Sequence, residues 1–309
     1  MRRICLITQW TIIFNYMRVL VTGASGQLGM TFQKSVEGWE HQVIFTDVCP
    51  TGNEVESLDV TDREAVSGFL TRENIDVIVN CAGYTDVDKA ETDEDAAFKV
   101  NAEAVRILAE EAASRDVVLI HISTDYVLDG KSGVQYGEDA EPAPLNAYGR
   151  SKLAGELAVL ASAGPHMIIR TAWLFSPYGR NFVKTILEKS SQLPELKVVS
   201  DQIGNPTYAG DLVDFIMYLI DSGDYRKSGL YNFSNEGVCS WYDLAVAVCQ
   251  ASGNLCDVVP CKTGEYPVKA VRPHFSVLDK SKVKETFGVE IPHWTSSLAF
   301  CLSQMDDML

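Results

Sequence analysis

The sequence predicts an α/β protein with a doubly wound parallel sheet, followed by a smaller C-terminal α+β lobe. Up to about residue 175, short runs rich in Val and Ile alternate with segments of helical periodicity, and this alternation indicates βαβ units. The runs are apolar at consecutive positions, which is typical of parallel strands covered on both faces. We therefore expect residues 17–175 to form the sheet domain and residues 176–309 to form mainly a second, substrate-binding lobe, with some chain returning to the sheet.

The predicted elements follow one another in order along the chain. Strands are predicted at residues 19–22, 43–46, 77–80, 117–123 and 167–170. The helix after the first strand runs through residue 36, and a helix at residues 96–113 carries apolar side chains at helical spacing. Beyond residue 175 the order is irregular, with short strands at residues 197–200, 230–233 and 258–260 and helices at residues 210–220 and 241–251.

The composition is that of an ordinary globular protein with a strong negative charge. Of the 309 residues, 46% are hydrophobic, and 26 Lys and Arg stand against 42 Asp and Glu, giving a net charge of −16. Nucleic acid and anionic membranes bind basic surfaces, so this charge argues against both as partners. Residues 1–160 carry 13 basic and 26 acidic groups, whereas residues 161–309 carry 13 and 16. The second half therefore repels an anionic ligand less.

The cysteines and the first residues bear on where the protein works. The eight cysteines form no CxxC pair, which favours free thiols in a reducing compartment over a zinc site or disulfides. Residues 1–16 combine a basic start with an apolar stretch, but polar residues interrupt it and no small-residue cleavage site follows. No apolar run is long enough to span a membrane. We expect a cytoplasmic protein in which residues 1–16 are a non-native or disordered extension and Met17 is the natural first residue.

A glycine-rich turn directly follows the first predicted strand and opens a helix. The turn consists of Gly23, Ser25, Gly26, Gln27, Leu28 and Gly29 together with Ala24. Glycines in this position let the backbone approach a pyrophosphate closely, and the helix N-terminus offers it free N–H groups. Asp47 closes the second strand, where a carboxylate can bind the ribose 2′-hydroxyl of NAD. These features predict a dinucleotide site of the Rossmann type that favours NADH without excluding NADPH.

Two further segments are assigned to the cofactor site because they lie near strand ends. Asp59 and Val60 are expected to border the adenine, and Cys81, Ala82 and Gly83 follow the strand at residues 77–80. Ligands of doubly wound sheets bind outside the carboxyl ends of the strands. A simple turn is an equally good explanation of either segment taken alone.

Four polar residues form the candidate catalytic set. Thr124 and Asp125 follow the strand at residues 117–123, and Tyr148 and Lys152 lie four apart on one face of a helix. An ammonium beside a phenol favours the phenolate, so this spacing predicts that Lys152 lowers the pKa of Tyr148. With Thr124 orienting a substrate oxygen, the set can pass a proton between Tyr148 and a carbonyl or alcohol while a nicotinamide carries the hydride.

Several motifs together give the chain a resemblance to a known family. They lie at residues 23–29, 84–91 (YTDVDKAE), 123–130 (STDYVLDG), 148–156 (YGRSKLAGE), 170–173 (RTAW), 201–207 (DQIGNPT), 241–243 (WYD) and 272–274 (RPH). From residue 17 to about residue 302 the chain resembles the extended short-chain dehydrogenase/reductase family and, within it, the dTDP-4-dehydrorhamnose reductases. Several of these motifs lie in the second lobe, where the wider family varies most.

The resemblance implies a reaction and a role for each matching residue. It implies that NADH or NADPH reduces C4 of dTDP-4-dehydro-L-rhamnose, with Tyr148 as general acid, Lys152 as its electrostatic partner and Thr124 polarising the carbonyl. It further implies that the sugar nucleotide is contacted by Thr85, Val87, Thr124, Asp125, Tyr126, Trp173, Asn205, Pro206, Thr207 and Arg272. Arg272 is the expected partner of the diphosphate.

The resemblance leaves the assembly open. Some members of the family hold Mg²⁺ in a dimer through acidic side chains, one of them early in the first helix. The aligned position here is Thr31, which has no carboxylate. We therefore expect no metal, and both a monomer and a homodimer are compatible with the sequence.

Two other functions share these motifs. An epimerase or dehydratase acting on a different nucleotide-sugar retains its NAD and consumes no net NADH. A regulatory subunit of the kind that binds methionine adenosyltransferase resembles the same reductases and acts without turnover. The complete second-lobe motifs favour the reductase over both alternatives.

Overall fold

The fold was analysed in a computed structural model that describes residues 16–267 and 269–306. The predicted N-terminal extension lies outside the described residues except for Tyr16. Tyr16 is exposed, and its hydroxyl donates a hydrogen bond to Oε1 of Gln42 at 3.1 Å. The sheet domain begins directly after it.

In the described ranges the chain forms thirteen strands. They are β1 (Arg18–Thr22), β2 (Gln42–Asp47), β3 (Val55–Ser57), β4 (Val77–Asn80), β5 (Val118–Thr124), β6 (His166–Thr171), β7 (Leu174–Phe175), β8 (Glu195–Val199), β9 (Ile203–Gly204), β10 (Thr207–Tyr208), β11 (Gly229–Asn232), β12 (Cys239–Ser240) and β13 (Asp257–Cys261). Seven of them form one parallel sheet in the order β11-β6-β5-β4-β1-β2-β3. The predicted doubly wound sheet is confirmed.

The same ranges contain eleven α-helices. They are α1 (Gln27–Ser35), α2 (Arg63–Glu73), α3 (Val87–Ala90), α4 (Glu94–Phe98), α5 (Ala104–Ala113), α6 (Ala147–Ala161), α7 (Phe182–Gln192), α8 (Ala209–Ser222), α9 (Trp241–Ser252), α10 (Ser281–Phe287) and α11 (Trp294–Asp306). A π-helical turn (Lys99–Glu103) joins α4 to α5, and short 3-10 turns lie at Asp125–Val127, Asp224–Arg226 and Thr263–Glu265.

Alternate side chains of each central strand enter two different hydrophobic cores. Val19 and Val21 of β1 belong to the core that includes α1, α8 and α10, whereas Leu20 belongs to the core that includes α2, α5 and α6. All four residues of β4 are buried. Burial on both faces explains why these strands are apolar at consecutive positions.

The second lobe has a core of its own, and part of the chain returns to the main sheet. Helices α7, α9 and α11 pack with the parallel pair β8 and β13 around a separate apolar cluster. β11 then joins the main sheet beside β6, and α8 packs against α1. The return of the chain to the sheet therefore involves β11 and α8. The domain boundary after residue 175 stays a prediction.

The predicted continuous helix at residues 96–113 is interrupted by the π-helical turn. Asn101 in this turn is fully buried, and its side-chain amide bonds to both backbone groups of Tyr84 and to the Ser151 hydroxyl. On α6, a Cβ at Gly155 would lie 2.2 Å from the Asn101 carbonyl oxygen. The wider turn therefore turns Asn101 inward against α6, which the helical period alone does not predict.

The described ranges bear on disulfides, metal binding and membrane insertion. There, seven cysteines are free thiols, and no group of three or more His, Cys, Asp or Glu side chains is arranged to hold a metal ion. No helix among these residues is long and apolar enough to cross a membrane. Thr31 is buried, and its hydroxyl donates to the Gln27 carbonyl.

Candidate active site

The carboxyl ends of β1, β2, β4 and β5 bring most of the predicted cofactor and catalytic residues to one edge of the sheet. In a parallel sheet these ends lie side by side, so residues far apart in sequence become neighbours. The glycine turn follows β1, Asp47 ends β2, Cys81 follows β4 and Thr124 ends β5. The predicted grouping of these four segments is therefore present.

The glycine turn is as tight as its sequence predicts. Gly23 has φ +65°, and a Cβ there would lie 2.5 Å from the Ala82 backbone nitrogen. A Cβ at Gly29 would lie 2.4 Å from the Cα of Ala24. Neither position tolerates a side chain, because in both cases the obstacle is backbone. At Gly23 the turn therefore lies against the backbone that follows β4. At Gly29 the first turn of α1 lies against the backbone of the glycine turn itself.

The start of α1 presents N–H groups that no side chain caps. Gly26 is the N-cap, no side chain caps the helix, and no acidic residue lies in its first turn. The first N–H groups of a helix have no intrahelical acceptor, and the helix dipole makes this end partly positive. The Gly26 N–H donates to the Gly23 carbonyl at 3.0 Å, so the N–H groups of Gln27 and Leu28 are those that suit a phosphate.

Asp47 links the glycine turn to the loop after β2. Its Oδ2 accepts a hydrogen bond from the Ser25 backbone N–H at 3.0 Å, and its Oδ1 accepts one from the Cys49 N–H at 2.9 Å. The Ser25 hydroxyl donates to the Cys49 carbonyl at 3.2 Å. The carboxylate is thus oriented by two backbone donors beside the turn, as a ribose-binding acid requires.

The remaining cofactor candidates lie close to this edge. Asp59 is exposed, and the Thr61 hydroxyl and backbone N–H bind its Oδ1 and lower the pKa of its carboxyl group. Val60 is buried beneath it. Burial raises the pKa of the Cys81 thiol to about 12, so it is neutral at physiological pH.

The Tyr148, Thr124 and Asp125 side chains form one hydrogen-bonded cluster. Thr124 is 6% exposed, and its hydroxyl donates to Oδ1 of Asp125 at 3.0 Å. The Thr124 hydroxyl also hydrogen-bonds Tyr148, and the Tyr126 ring packs edge-on against the Tyr148 ring at 5.6 Å. The helix that carries Tyr148 starts at Asn146, whose side chain accepts the Gly149 N–H. Thr124 and Tyr126 therefore both contact the Tyr148 side chain, and Asn146 caps the helix that carries it.

The predicted lowering of the Tyr148 pKa is wrong for the chain by itself. Burial raises the pKa of Tyr148 to about 12, and the hydrogen bond between Tyr148 and Thr124 opposes this effect only in part. The Lys152 Nζ donates a hydrogen bond to the Ile122 carbonyl at 2.5 Å. At neutral pH Tyr148 is a phenol, which is the form that can donate a proton.

Burial also changes the ionisation of Lys152 and Asp125. Lys152 is 5% exposed, and desolvation lowers the pKa of its ammonium group to about 8, although the Glu156 carboxylate favours the charged form. Asp125 is 1% exposed, and desolvation raises the pKa of its carboxyl group to about 6. Such shifts on neighbouring groups are typical of acid–base sites.

A buried ion pair links α6, the helix that carries Tyr148 and Lys152, to the main sheet. Arg170 of β6 binds Glu156 of α6 through Nε and Nη2 at 2.8 and 2.7 Å, and the Ser123 hydroxyl donates to the same carboxylate at 2.5 Å. Both charged side chains are 3% exposed. The pair joins β5, β6 and α6 one helical turn after Lys152.

A cleft of about 590 Å³ lies along the second lobe, and Asp88 of α3 is its lining residue from the first lobe. Its lining includes three cations and one carboxylate, namely Lys189, Lys197, Arg272 and Asp88. Apolar side chains such as Phe182, Leu196, Val198 and Trp241 form much of the remaining wall. Its size is typical of small-molecule sites, and the excess of cations suits an anionic ligand with an apolar portion.

Trp173 lies beside this cleft within an aromatic cluster. Its ring stacks on Trp241 with a centroid distance of 3.5 Å and an interplanar angle of 8°, and Trp241 in turn packs on Phe182. Its backbone has φ +48°, and a Cβ at Gly204 would lie 2.7 Å from the ring. Trp173 therefore supports two wall residues of the cleft.

The structure gives Asn205 and Thr207 packing roles rather than places on the cleft wall. Both are fully buried. The Asn205 amide donates to the Gly237 carbonyl at 2.6 Å and accepts the Leu278 N–H at 2.8 Å, so both ends of the side chain are used internally. The Thr207 hydroxyl bonds that of Thr171 at 3.3 Å. Their predicted contact with a substrate is not supported by this geometry.

Three other substrate candidates, Thr85, Val87 and Tyr126, belong to the first lobe and lie close in sequence to Asp88 or in contact with Arg272. Thr85 is exposed and Val87 begins α3, after the N-cap Asp86. Burial raises the pKa of the Tyr126 hydroxyl, and this hydroxyl interacts with the Arg272 guanidinium. Arg272 reaches across from the second lobe to Asp88, so this corner joins the two lobes.

Comparison with known proteins identifies the family. The family model described as the RmlD substrate binding domain matches residues 17–307. The chain belongs to this family. The predicted membership of the extended short-chain dehydrogenase/reductase family is thereby confirmed, and the match covers both lobes.

Relatives of similar length support the same assignment. A dTDP-4-dehydrorhamnose reductase from Aggregatibacter actinomycetemcomitans is 37% identical over 291 residues, covering 91% of this chain and 97% of the relative. The crystal structure of a dTDP-4-dehydrorhamnose reductase from Clostridium acetobutylicum is 40% identical with a TM-score of 0.88, covering 94% of this chain and 100% of that one. That from Bacillus anthracis, in complex with NADP, is 34% identical with a TM-score of 0.87 and the same coverage.

Sequence reasoning missed several residues that shape this site. Lys189 and Lys197 lie in ordinary-looking amphipathic segments, and no motif distinguishes them. Asn146 could have been found, because an Asn directly before an apolar helix is typical of an N-cap. Asp88 lies within the motif at residues 84–91, but its partner is far away in sequence.

Proposed function

We propose that the chain reduces the C4 carbonyl of dTDP-4-dehydro-L-rhamnose to the alcohol of dTDP-L-rhamnose with NADH or NADPH. The observation that carries this proposal is the hydrogen-bonded cluster of Tyr148, Thr124 and Asp125 at the carboxyl edge of the sheet, with Lys152 one helical turn after Tyr148 on α6. The turn suits the cofactor's pyrophosphate and the cleft suits a nucleotide-sugar.

The residues that would hold the cofactor fit its chemistry. The pyrophosphate would lie on the N–H groups of Gln27 and Leu28, beside Gly26, where a Cβ would lie 3.2 Å from the Gly23 carbonyl. Asp47 would bind the adenosine ribose. The bound nicotinamide supplies the hydride that adds to C4.

The chain's own residues manage the proton. As C4 accepts hydride, negative charge develops on its oxygen, and the Tyr148 phenol donates its proton to that oxygen. The Thr124 hydroxyl positions the same oxygen. Lys152 places a positive charge near Tyr148 and stabilises the phenolate that remains. The alkoxide thus becomes an alcohol, and Tyr148 regains a proton from solvent before the next turnover.

The cleft would bind the nonreacting part of the substrate. Lys189, Lys197 and Arg272 suit the diphosphate, and the apolar wall around Trp241 suits the base or the deoxysugar. Binding energy from these parts holds C4 beside the catalytic cluster. We infer from the negative charge and the free thiols that the enzyme works in the cytoplasm, as a monomer or homodimer, without nucleic acid or membrane.

The proposed reaction is tested by following NADH absorbance with dTDP-4-dehydro-L-rhamnose, and again with NADPH. We expect stoichiometric oxidation of the reduced cofactor and formation of dTDP-L-rhamnose. Absence of net oxidation, with conversion of another nucleotide-sugar, would instead support an epimerase or dehydratase. Absence of any turnover, with co-purification of a methionine adenosyltransferase, would support the regulatory-subunit alternative.

We expect Asp47→Asn to shift cofactor preference from NADH towards NADPH. The change removes the charge that favours a 2′-hydroxyl and repels a 2′-phosphate, and Asn can still accept one of the two backbone N–H groups. The ratio of kcat/KM for NADH to that for NADPH should fall by about tenfold or more. Glu94→Gln is the matched control, because Glu94 forms an exposed ion pair with Arg150 and is not a candidate cofactor residue. An unchanged ratio in Asp47→Asn would argue against Asp47 as the ribose ligand.

We expect activity to decline at alkaline pH because Lys152 loses its proton. Its pKa lies near 8, so the ammonium is present below this pH and disappears above it. kcat/KM, which reports ionisations of the free enzyme, should fall by about tenfold per pH unit above this value. The Tyr148 ionisation, near 12, lies far above this limb. A profile that stays flat to pH 10 would contradict the proposed role of Lys152.

A further inference from the structure

We propose that Asp88 is a positioning residue for the substrate. It holds a strap (residues 269–272) beside the cleft and directs the Arg272 guanidinium towards the substrate's diphosphate. The identity of the ligand rests on the proposed function. Asp88 lies on α3 in the first lobe, whereas the strap belongs to the second half of the chain. The contact is therefore a connection between two regions 184 residues apart.

The Asp88 carboxylate receives four hydrogen bonds, all from the strap. Its Oδ1 accepts the backbone N–H groups of Lys269 and Ala270 at 3.1 and 3.0 Å. Arg272 donates from Nη1 to Oδ1 at 3.1 Å and from Nη2 to Oδ2 at 2.8 Å. An exposed ion pair alone contributes little, but this carboxylate also binds the backbone that precedes the arginine. It thereby determines both the path of the strap and the plane of the guanidinium.

A second contact ties the strap to the catalytic helix. Asn146 caps α6 with its side-chain oxygen, and its Nδ2 donates to the Val271 carbonyl at 2.8 Å. Tyr148 lies two residues further on. Arg272 also interacts with the Tyr126 hydroxyl, and the Tyr126 ring packs on that of Tyr148. Arg272, which would bind the diphosphate, is therefore connected to Tyr148 through Tyr126 and, along the chain, through Asn146.

The guanidinium keeps donors for a ligand. Of its five N–H groups, two bind Asp88 and a third, on Nη1, donates to the Ala270 carbonyl at 3.2 Å. Two N–H groups are left for Tyr126 and for an anion in the cleft. Lys189 and Lys197 on the cleft wall provide further positive charge. Asp88 can therefore orient Arg272 while one N–H group of the guanidinium remains for the anion.

Asp88→Asn tests the proposal, with dTDP and thymidine as binding probes. Positioning predicts that the Kd for dTDP and the KM for the sugar nucleotide rise by roughly 10- to 100-fold, because a charge-assisted contact to phosphate is lost. The affinity for thymidine, which has no diphosphate, and kcat should change less than threefold. If Asp88 instead competes with the diphosphate for Arg272, removing its charge will tighten dTDP binding, and this result would overturn the proposal.

Two further variants distinguish positioning from a general loss of structure. If Asp88 acts through Arg272, adding Asp88→Asn to Arg272→Lys should weaken dTDP binding by less than threefold beyond Arg272→Lys alone. Glu94→Gln is the matched control, since it removes the carboxylate of an exposed pair with Arg150 on the same lobe and should leave dTDP binding unchanged. Additive losses in the double variant, or equal losses for dTDP and thymidine, would contradict the proposal.

Failure of the proposed function would look different. The wild-type chain would then bind dTDP, and respond to Asp88→Asn as described, without reducing dTDP-4-dehydro-L-rhamnose. Failure of the positioning role would leave that reduction intact in the wild type and in Asp88→Asn alike, with KM unchanged.

Discussion

Tyr148→Phe is expected to lower the rate of sugar reduction by about 10²-fold or more while leaving NADH binding intact. The change removes the hydroxyl that is bonded to Thr124 but keeps the ring, so its edge-on packing against Tyr126 persists. Because burial keeps this phenol protonated at neutral pH, it can donate the proton that the developing alkoxide accepts. The loss should appear in kcat, with the NADH Kd from fluorescence titration unchanged.

A matched control for this variant is Tyr218→Phe. Tyr218 lies on α8, and its hydroxyl donates to the carbonyl of Phe287, the last residue of α10, at 3.0 Å. Neither residue lines the cleft. We expect this variant to reduce the sugar at the wild-type rate. Near-normal turnover of Tyr148→Phe would remove Tyr148 from the mechanism and direct attention to Asp125 as an alternative acid.

Glu156→Gln is expected to lower the free energy of unfolding by about 3–5 kcal/mol, because it leaves the buried Arg170 charge without a carboxylate. The ion pair is bidentate, both side chains are almost fully buried, and Arg170 Nη1 has no other partner in the described structure. Urea-induced unfolding followed by far-ultraviolet circular dichroism should show a lower midpoint with an unchanged slope.

Glu94→Gln serves as the control for this change as well. Glu94 and Arg150 are 48% and 43% exposed at their side chains, so solvent screens their attraction. Loss of this pair should alter the free energy of unfolding by less than about 1 kcal/mol. A shift of Glu156→Gln within the same range would show that the buried pair is replaced by solvent or by a rearranged Ser123.

Much of the sheet domain could be predicted because its signals are local. The strand at residues 77–80 was predicted with the bounds that β4 has, and each of the other predicted strands of the main sheet overlaps an observed one. The short strands β7, β9, β10 and β12, and helices α7, α10 and α11, were not predicted. Two-residue strands carry no periodicity, and the second lobe's core is assembled from segments without a regular order.

The positions of the candidate catalytic residues were predicted, but their ionisation was not. The spacing of Tyr148 and Lys152 suggested that the ammonium would lower the pKa of the phenol. The structure shows that desolvation dominates and that Lys152 is bonded to a backbone carbonyl. Spacing along a helix states which side chains share a face. It does not state how much water each of them loses.

The sequence by itself determined the doubly wound sheet, the glycine turn with Asp47, and the order of Thr124, Tyr148 and Lys152. Each of these depends on periodicity or on residues a few positions apart at a strand end. The tertiary structure alone decided that Asn205 packs internally, that Glu156 and Arg170 form a buried pair, and that Asp88 holds Arg272. These contacts join segments up to 184 residues apart, and their energies depend on burial and orientation, which exist only once the chain has folded.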